Sequence, residues 1–545
     1  MGRMKKYMGK EKTLNAVKKA SLALLCAGAL AMFGCETFEP IFSMDNGIDT
    51  KNRPTIPTSF ESDTNKVMSK AYWDLWNKDV QKEIDARIEK FRKADGVVKV
   101  DAAPNTDVEI KQIKHSFIFG AHIFNFNQLG KKEYNDIYKS LYGTLFNSAT
   151  VAFYWKCFEF SPDQFRFATE YWDTEDFWNN VKEPKLMPHW RRPSSDQVVE
   201  FCQQKHIRIH GHPLVWGSRS WHMPEEWLVN DFANPAEKAL LKKYGIKVEG
   251  SDAKYAHSAL YKKPIAELEK LIGHYAAEIG KRYEARVKAI AEHYGDIVDS
   301  WDVVNESATD FEKGNLPSGN VFSKSWYGIM QPNYDFDAFR LAQKYLPAKA
   351  KLNINDYNMR AAYINQIKSL EKRGCKIDIV GSQMHLFNPE QTLGIANGKA
   401  IQTPKQVKET MDRLATAGKP IHLSEITITA AGTGEKERMM QAIALRNLYR
   451  MWFSIENMMG ITWWNVVDDC GAPGEPSMSG IFTRDMKPKP AFFAMNDLIN
   501  GEWKTNTVRR ADADGNVKFR GFKGLYEISY TDKNGNKKTI QYNLK

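Results

Sequence analysis

Cysteine is scarce: six in 545 residues, none of them in a Cys-x-x-Cys pair. That spacing offers no metal framework, so buried free thiols are the plain reading, with a disulfide left open for an exported chain. Beyond residue 34 no apolar run is long enough to span a bilayer. Glycine-rich phosphate loops and a Gly-x-Ser-x-Gly elbow are also missing, which argues against nucleotide enzymes and serine esterases. Past the N-terminus there is no dense Lys/Arg cluster, so the formal charge of +11 does not imply a nucleic-acid partner. No repeat of 20–50 residues and no low-complexity tract appears.

What is present starts with a basic N-terminus. Seven Lys/Arg against one acid in residues 1–34 account for six of the eleven excess positive charges. They precede "ASLALLCAGALAMFG", 15 small and apolar residues. That length suits an export signal rather than a spanning helix. Gly34–Cys35 resembles the lipobox of bacterial lipoproteins, which implies lipidation of Cys35 and a membrane-anchored, exported protein. Residues 35–70, rich in Asp, Asn, Ser, Thr and Pro, form an expected tether.

Trp76, Val80, Ile84, Ile88 and Phe91 recur about every four residues and predict a helix. "VVKV" and "VEIKQI" then predict two strands joined by a turn, so residues 71–115 form a small α+β preface. From residue 116 the pattern changes to short apolar runs alternating with helical segments. Eight such runs start at 117, 146, 207, 297, 352, 377, 421 and 460. Strand–helix alternation at this count predicts an α/β chain, a closed (β/α)₈ TIM barrel over 116–503. Residues 504–545 alternate apolar and polar around Asp-Gly and Asn-Gly turns, which predicts a small antiparallel β unit.

A barrel of this kind builds its site at the C-terminal ends of the strands. His212, Asn305, Glu306, Asn355, Asp356, Gln383, His385, Glu425, Trp463 and Trp464 all fall there. Each of the two glutamates taken singly has an ordinary structural explanation, as a helix cap or a salt-bridged strand end. Two carboxyls at matching strand ends instead suit glycoside cleavage, in which one protonates the departing oxygen and the other attacks or activates water. Asn305 is placed to orient a sugar or a carboxylate, and His385 to hold Glu425. Trp155, Trp216, Trp221, Trp326, Trp463 and Trp464 are candidate sugar platforms. His206, His210 and His212 alternate on one strand, but a spacing of about 7 Å between alternate residues is too wide for one ion. No metal or cofactor is expected. "ADADGN" has its glycine too early for a calcium loop and is expected to be a hairpin turn.

These residues resemble glycoside hydrolase family 10, the retaining endo-β-1,4-xylanases. "WDVVNES" is similar to that family's acid/base motif and "IHLSEITI" to its nucleophile strand; "HGHPLVW", "LNINDYN", "GSQMH" and "ITWWNVVD" agree with other strand motifs. The resemblance covers about residues 116–500. It implies Glu306 as acid/base, Glu425 as nucleophile, and Lys156, His212, Trp216, Asn305, Gln383, His385 and Trp464 as sugar contacts. It implies xylan or a related β-glycan as partner, acted on by a monomer. The chain departs from the family where Ala152 and Phe153 replace an acid and an amide, where Gly217 replaces a histidine, and where "VVDDCGAPGEP" lacks a tryptophan. Those departures put the substrate in question. Two rival readings follow: the same fold acting on another β-glycan, and a non-catalytic glycan-binding surface lipoprotein.

Overall fold

The computed structural model describes residue 48 and residues 53–244, 259–316 and 322–545. The signal segment and Cys35 lie outside the described residues. Among the described residues no helix is long and apolar enough to cross a membrane.

Two strands precede the barrel, β1 (Lys93–Lys99) and β2 (Asp107–His115). The barrel strands are β3 (Ile118–His122), β4 (Ser148–Ala152), β5 (Arg208–His212) with its short continuation β6 (Val215–Trp216), and β7 (Ser300–Asn305). After a hairpin formed by β8 (Phe322–Ser325) and β9 (Ile329–Pro332) come β10 (Lys351–Asp356), β11 (Ile379–Leu386), β12 (Ile421–Ile428) and β13 (Met458–Trp463). Every barrel pairing is parallel, and the β10–β7 pairing closes the ring. Parallel strands covered by helices are buried on both faces, which explains why these runs read as continuously apolar rather than alternating. All eight residues of β12 and all six of β7 are buried.

Each strand is followed by a helix that packs back on the ring. The segment Pro404–Ala415 shows how locally such helices are written: Thr403 and Gln406 form a capping box and proline opens the first turn. The longest return, Ile265–Tyr294, fills much of the enlarged crossover after β6.

The preface and the C-terminal strands differ from expectation. The helix Lys78–Arg92 forms, but β1 and β2 do not pair with each other. The C-terminal strands are β14 (Asn506–Arg510), β15 (Asn516–Phe522), β16 (Gly524–Thr531) and β17 (Lys537–Leu544). The strand β1 pairs with β15, and β2 lies between β14 and β16. The "ADADGN" turn is tight, with Asp512 accepting from the backbone of Asp514 and Asn516, yet it joins strands of two different sheets instead of making a hairpin. Two isolated strands are marginal in water, and the apolar faces of the two chain ends complete one another. Val98, Val108 and Ile110 share a separate core with Val517, Phe519, Tyr526 and Ile528. Since β2 runs into the start of β3, this body docks at the end of the barrel away from the strand C-termini.

Candidate active site

The C-terminal strand ends surround a cleft of about 700 Å³. Its lining includes His212, Trp216, Asn305, Glu306, Gln383, His385, Glu425 and Trp464. Both glutamates therefore open into one space, contributed by β7 and β12 from different sides of the ring.

Glu425 is 5% exposed and surrounded by donors. Its Oε1 accepts from Asn355 Nδ2 at 2.8 Å and Gln383 Nε2 at 2.9 Å. Its Oε2 lies 3.3 Å from His385 Nε2. The other imidazole nitrogen, Nδ1, is 2.9 Å from Thr427 Oγ1, and the ring stacks on Phe387. With Thr427 donating to Nδ1, the ring proton sits on Nε2, on the side of the carboxylate. The same two amides donate to Asn305 Oδ1, at 2.9 and 3.2 Å, which leaves the Asn305 Nδ2 group for the cleft.

On the far side of Glu425, His212 Nε2 stands 3.9 Å from Oε1, while its Nδ1 is 2.8 Å from Asp302 Oδ2. His210 Nε2 is 2.9 Å from the same oxygen. The alternating histidines of β5 thus converge on a carboxylate. Burial works against an ionised Asp302, but His210 and His212 outweigh it and hold the carboxyl well below its ordinary range. Burial likewise opposes a charged His212, yet Asp302 and Glu425 raise it above the usual imidazole value.

Glu306 has a different setting. It follows the last residue of β7 with φ +54°, a left-handed conformation that non-glycine residues seldom adopt, and its N–H donates to Asn355 O at 2.8 Å. Its Oε2 accepts from the Tyr327 hydroxyl at 2.6 Å. Burial raises its pKa, the Glu425 charge adds to the rise, and the Tyr327 bond opposes it. The two carboxyls thus share one cleft in opposed environments, one held by amides and imidazole and the other biased toward its protonated form.

The sequence matches the family model for glycosyl hydrolase family 10 across residues 114–498. The chain belongs to glycosyl hydrolase family 10. Among curated relatives it is 30% identical over 216 residues to endo-1,4-beta-xylanase A of Halalkalibacterium halodurans, covering 38% of this chain and 45% of that one. It is 23% identical over 333 residues to endo-1,4-beta-xylanase A of Thermoanaerobacterium saccharolyticum, covering 58% and 24%. The chain thus spans less than half the length of these relatives. Among solved structures, native xylanase 10B from Thermotoga maritima aligns over 71% of this chain and 96% of its own, at 18% identity and a TM-score of 0.45.

Within this family 10 barrel, one expected sugar contact does not reach the cleft. Lys156 Nζ donates to Ser220 O at 3.1 Å, and Lys156 is not part of the lining. The cause lies in the turn after β4. Cys157 takes φ +69° and Trp155 is fully buried with its ring 4.7 Å from that of Tyr283, so the intervening lysine is directed at the loop around Ser220. Trp155 and Trp463 are core residues, whereas Trp216, Trp221, Trp326 and Trp464 line the cleft.

Several lining residues were not singled out from the sequence. Tyr357 and Phe387 stand exposed at the rim, 42% and 38%, each just beyond a strand that already carried candidate residues. Tyr327 sits at the tip of the β8–β9 hairpin, and its only sequence signal was the neighbouring Trp326. Gly217 accounts for how the hairpin gets there. A Cβ on Gly217 would stand 2.6 Å from Ser325 Cβ, and Ser325 Oγ donates to Gly217 O at 2.5 Å. The lack of a side chain at Gly217 makes room for the hairpin that carries Tyr327 to Glu306.

Proposed function

We propose that this chain is a retaining endo-1,4-β-xylanase. The observation that carries the reading is the pair Glu306 and Glu425 on one cleft in opposed environments, within a chain of family 10. In the first step Glu425 attacks the anomeric carbon while Glu306 gives its proton to the departing glycosidic oxygen. A glycosyl ester on Glu425 results. Glu306, now ionised, takes a proton from water, and that water displaces Glu425 to release the sugar. Asn355 and Gln383 fix the attacking carboxylate, Asn305 presents its amide to a sugar hydroxyl, and Trp216 and Trp464 offer flat apolar faces to pyranose rings.

Glu425→Ala tests the roles: turnover on xylan is lost, and azide as an external nucleophile restores part of it. Unchanged hydrolysis of xylan by that variant refutes the assignment. Product analysis on linear and substituted xylans gives the cleavage pattern. The altered strand end at Ala152 and Phe153, with Lys156 turned away, supports keeping one second reading, another β-glycan as substrate, which a polysaccharide panel separates from the first. Export, a lipid anchor on Cys35 and a monomeric state belong to the same proposal. Cys35→Ala then moves the protein from the membrane fraction to the soluble one.

A further inference from the structure

The wall of the cleft next to β4, the strand that ends on Ala152, carries a cation. Tyr154 lines the cleft there, its ring centroid 5.3 Å from that of His212 and 6.0 Å from that of Trp216. The Arg192 guanidinium lies over it, its Cζ 3.6 Å from the ring centre. Its neighbour Arg191 is paired within the protein: Nη1 is 3.6 Å from Glu475, and Nη2 meets His122 and Asn465 at 3.0 and 3.2 Å. Arg192 is not. Its Nη1 donates to Arg191 O at 2.9 Å, and among the described residues no carboxylate lies within ion-pair distance.

The loop that presents it is built rather than loose. Arg191 adopts φ +60°, with its N–H donating to the buried Gln128 Oε1 at 2.7 Å. Arg166 donates to Arg192 O at 3.0 Å and is itself ion-paired with the buried Asp173. Burial lowers the Arg192 pKa to about 10, which still leaves it cationic at neutral pH. A half-buried cation without a direct ion pair is costly, the charge of Glu475 acting on it only from beyond ion-pair distance, and the edge N–H groups that Arg191 O does not take remain for a second partner. Carboxylates fit that fork geometry best.

We propose that Arg192, stacked on Tyr154, forms an anion subsite that takes the carboxylate of a uronosyl unit on the bound glycan. The inference rests on the cleft being a glycan cleft, as under the proposed function, and concerns which sugars it prefers. A neutral hydroxyl would satisfy an N–H group alone, whereas an anion also gives the guanidinium the direct ion pair it lacks.

The test uses the full chain carrying Glu425→Ala, so that ligands are not consumed, and calorimetry with two probes. One is a xylotetraose bearing a glucuronosyl branch; the other is the same oligosaccharide with its carboxyl reduced to an alcohol. The acidic probe should bind roughly tenfold tighter at low salt, with the gap shrinking as salt rises. Adding Arg192→Met should close the gap, the ratio of the two affinities being the readout rather than either alone. Equal affinities before that substitution, or a gap that survives it, overturn the subsite. Hydrolysis of unsubstituted linear xylan by the parent is scored separately: no product there, with the affinity gap intact, refutes the proposed activity and supports the subsite.

Discussion

Removing one hydroxyl, in Tyr327→Phe, should move the alkaline edge of activity upward. In the proposed mechanism Glu306 must hold a proton to serve the leaving oxygen, so kcat/KM falls as pH rises through its pKa in the free enzyme. The 2.6 Å bond from Tyr327 favours the ionised form and so works against the rise that burial and Glu425 impose. A hydrogen bond to a charged group contributes about 1.5–3 kcal/mol. The protonated carboxyl keeps part of that contact, which leaves a difference of about 1.4 kcal/mol, or roughly one pH unit. The Phe ring preserves the edge-on contact with Trp216, 6.0 Å between centroids, so the wall of the cleft is retained. Initial rates on a linear xylo-oligosaccharide from roughly pH 4 to 10 give the profile. The variant should lose activity near the acidic limb no more than the parent and keep it about one unit further into alkali. An alkaline limb that stays in place or moves down would refute the role given to Tyr327, and with it the account of how Glu306 is biased.

Two further expectations follow from the packing around Glu306. Gly217→Ala pushes a Cβ to 2.6 Å from Ser325 and displaces the β8–β9 hairpin, so its alkaline limb should move in the same direction as in Tyr327→Phe, with stability lowered by about 1–3 kcal/mol. A parent-like profile and melting temperature would mean that the hairpin is not held by that close approach. Asp356, buried behind Glu306 and accepting from the N–H groups of Ala308 and Asn358, has its carboxyl pushed by burial up to about 8. Between the ordinary aspartate value of about 3.9 and that pKa the native state keeps a proton the unfolded chain has lost, so this group favours folding less and less as pH rises through the window. Asp356→Asn removes that slope, and urea midpoints at acidic and mildly alkaline pH should show the variant gaining on the parent at the higher pH. An identical pH dependence in both proteins would show that Asp356 is ionised in the folded state.

The barrel was legible because its evidence is local. Each strand is a short apolar run ending on polar residues, and the strands from Ile118–His122 to Met458–Trp463 lie within a few residues of the runs read from the sequence. The paired glutamates were legible for the same reason, since a strand end fixes which rim a side chain occupies. The preface was harder. The residues Val98 and Val108 announce an apolar face, but nothing near them says that the covering face comes from Val517 and Ile528, some four hundred positions later.

The sequence by itself determined the closed ring and put Glu306, Asn305, Gln383, His385, Glu425 and Trp464 at one mouth, since alternation of strand and helix and the position of a residue at a strand end are properties of a few neighbours. Only the tertiary structure decided that Lys156 leaves the cleft, that Tyr327 reaches Glu306 and that Arg192 stacks on Tyr154. Those outcomes depend on the direction of loops, and a loop's direction is set by what it packs against: Trp155 sinking into the core, Ser325 resting on a side-chain-free Gly217, and Gln128 holding the backbone of Arg191.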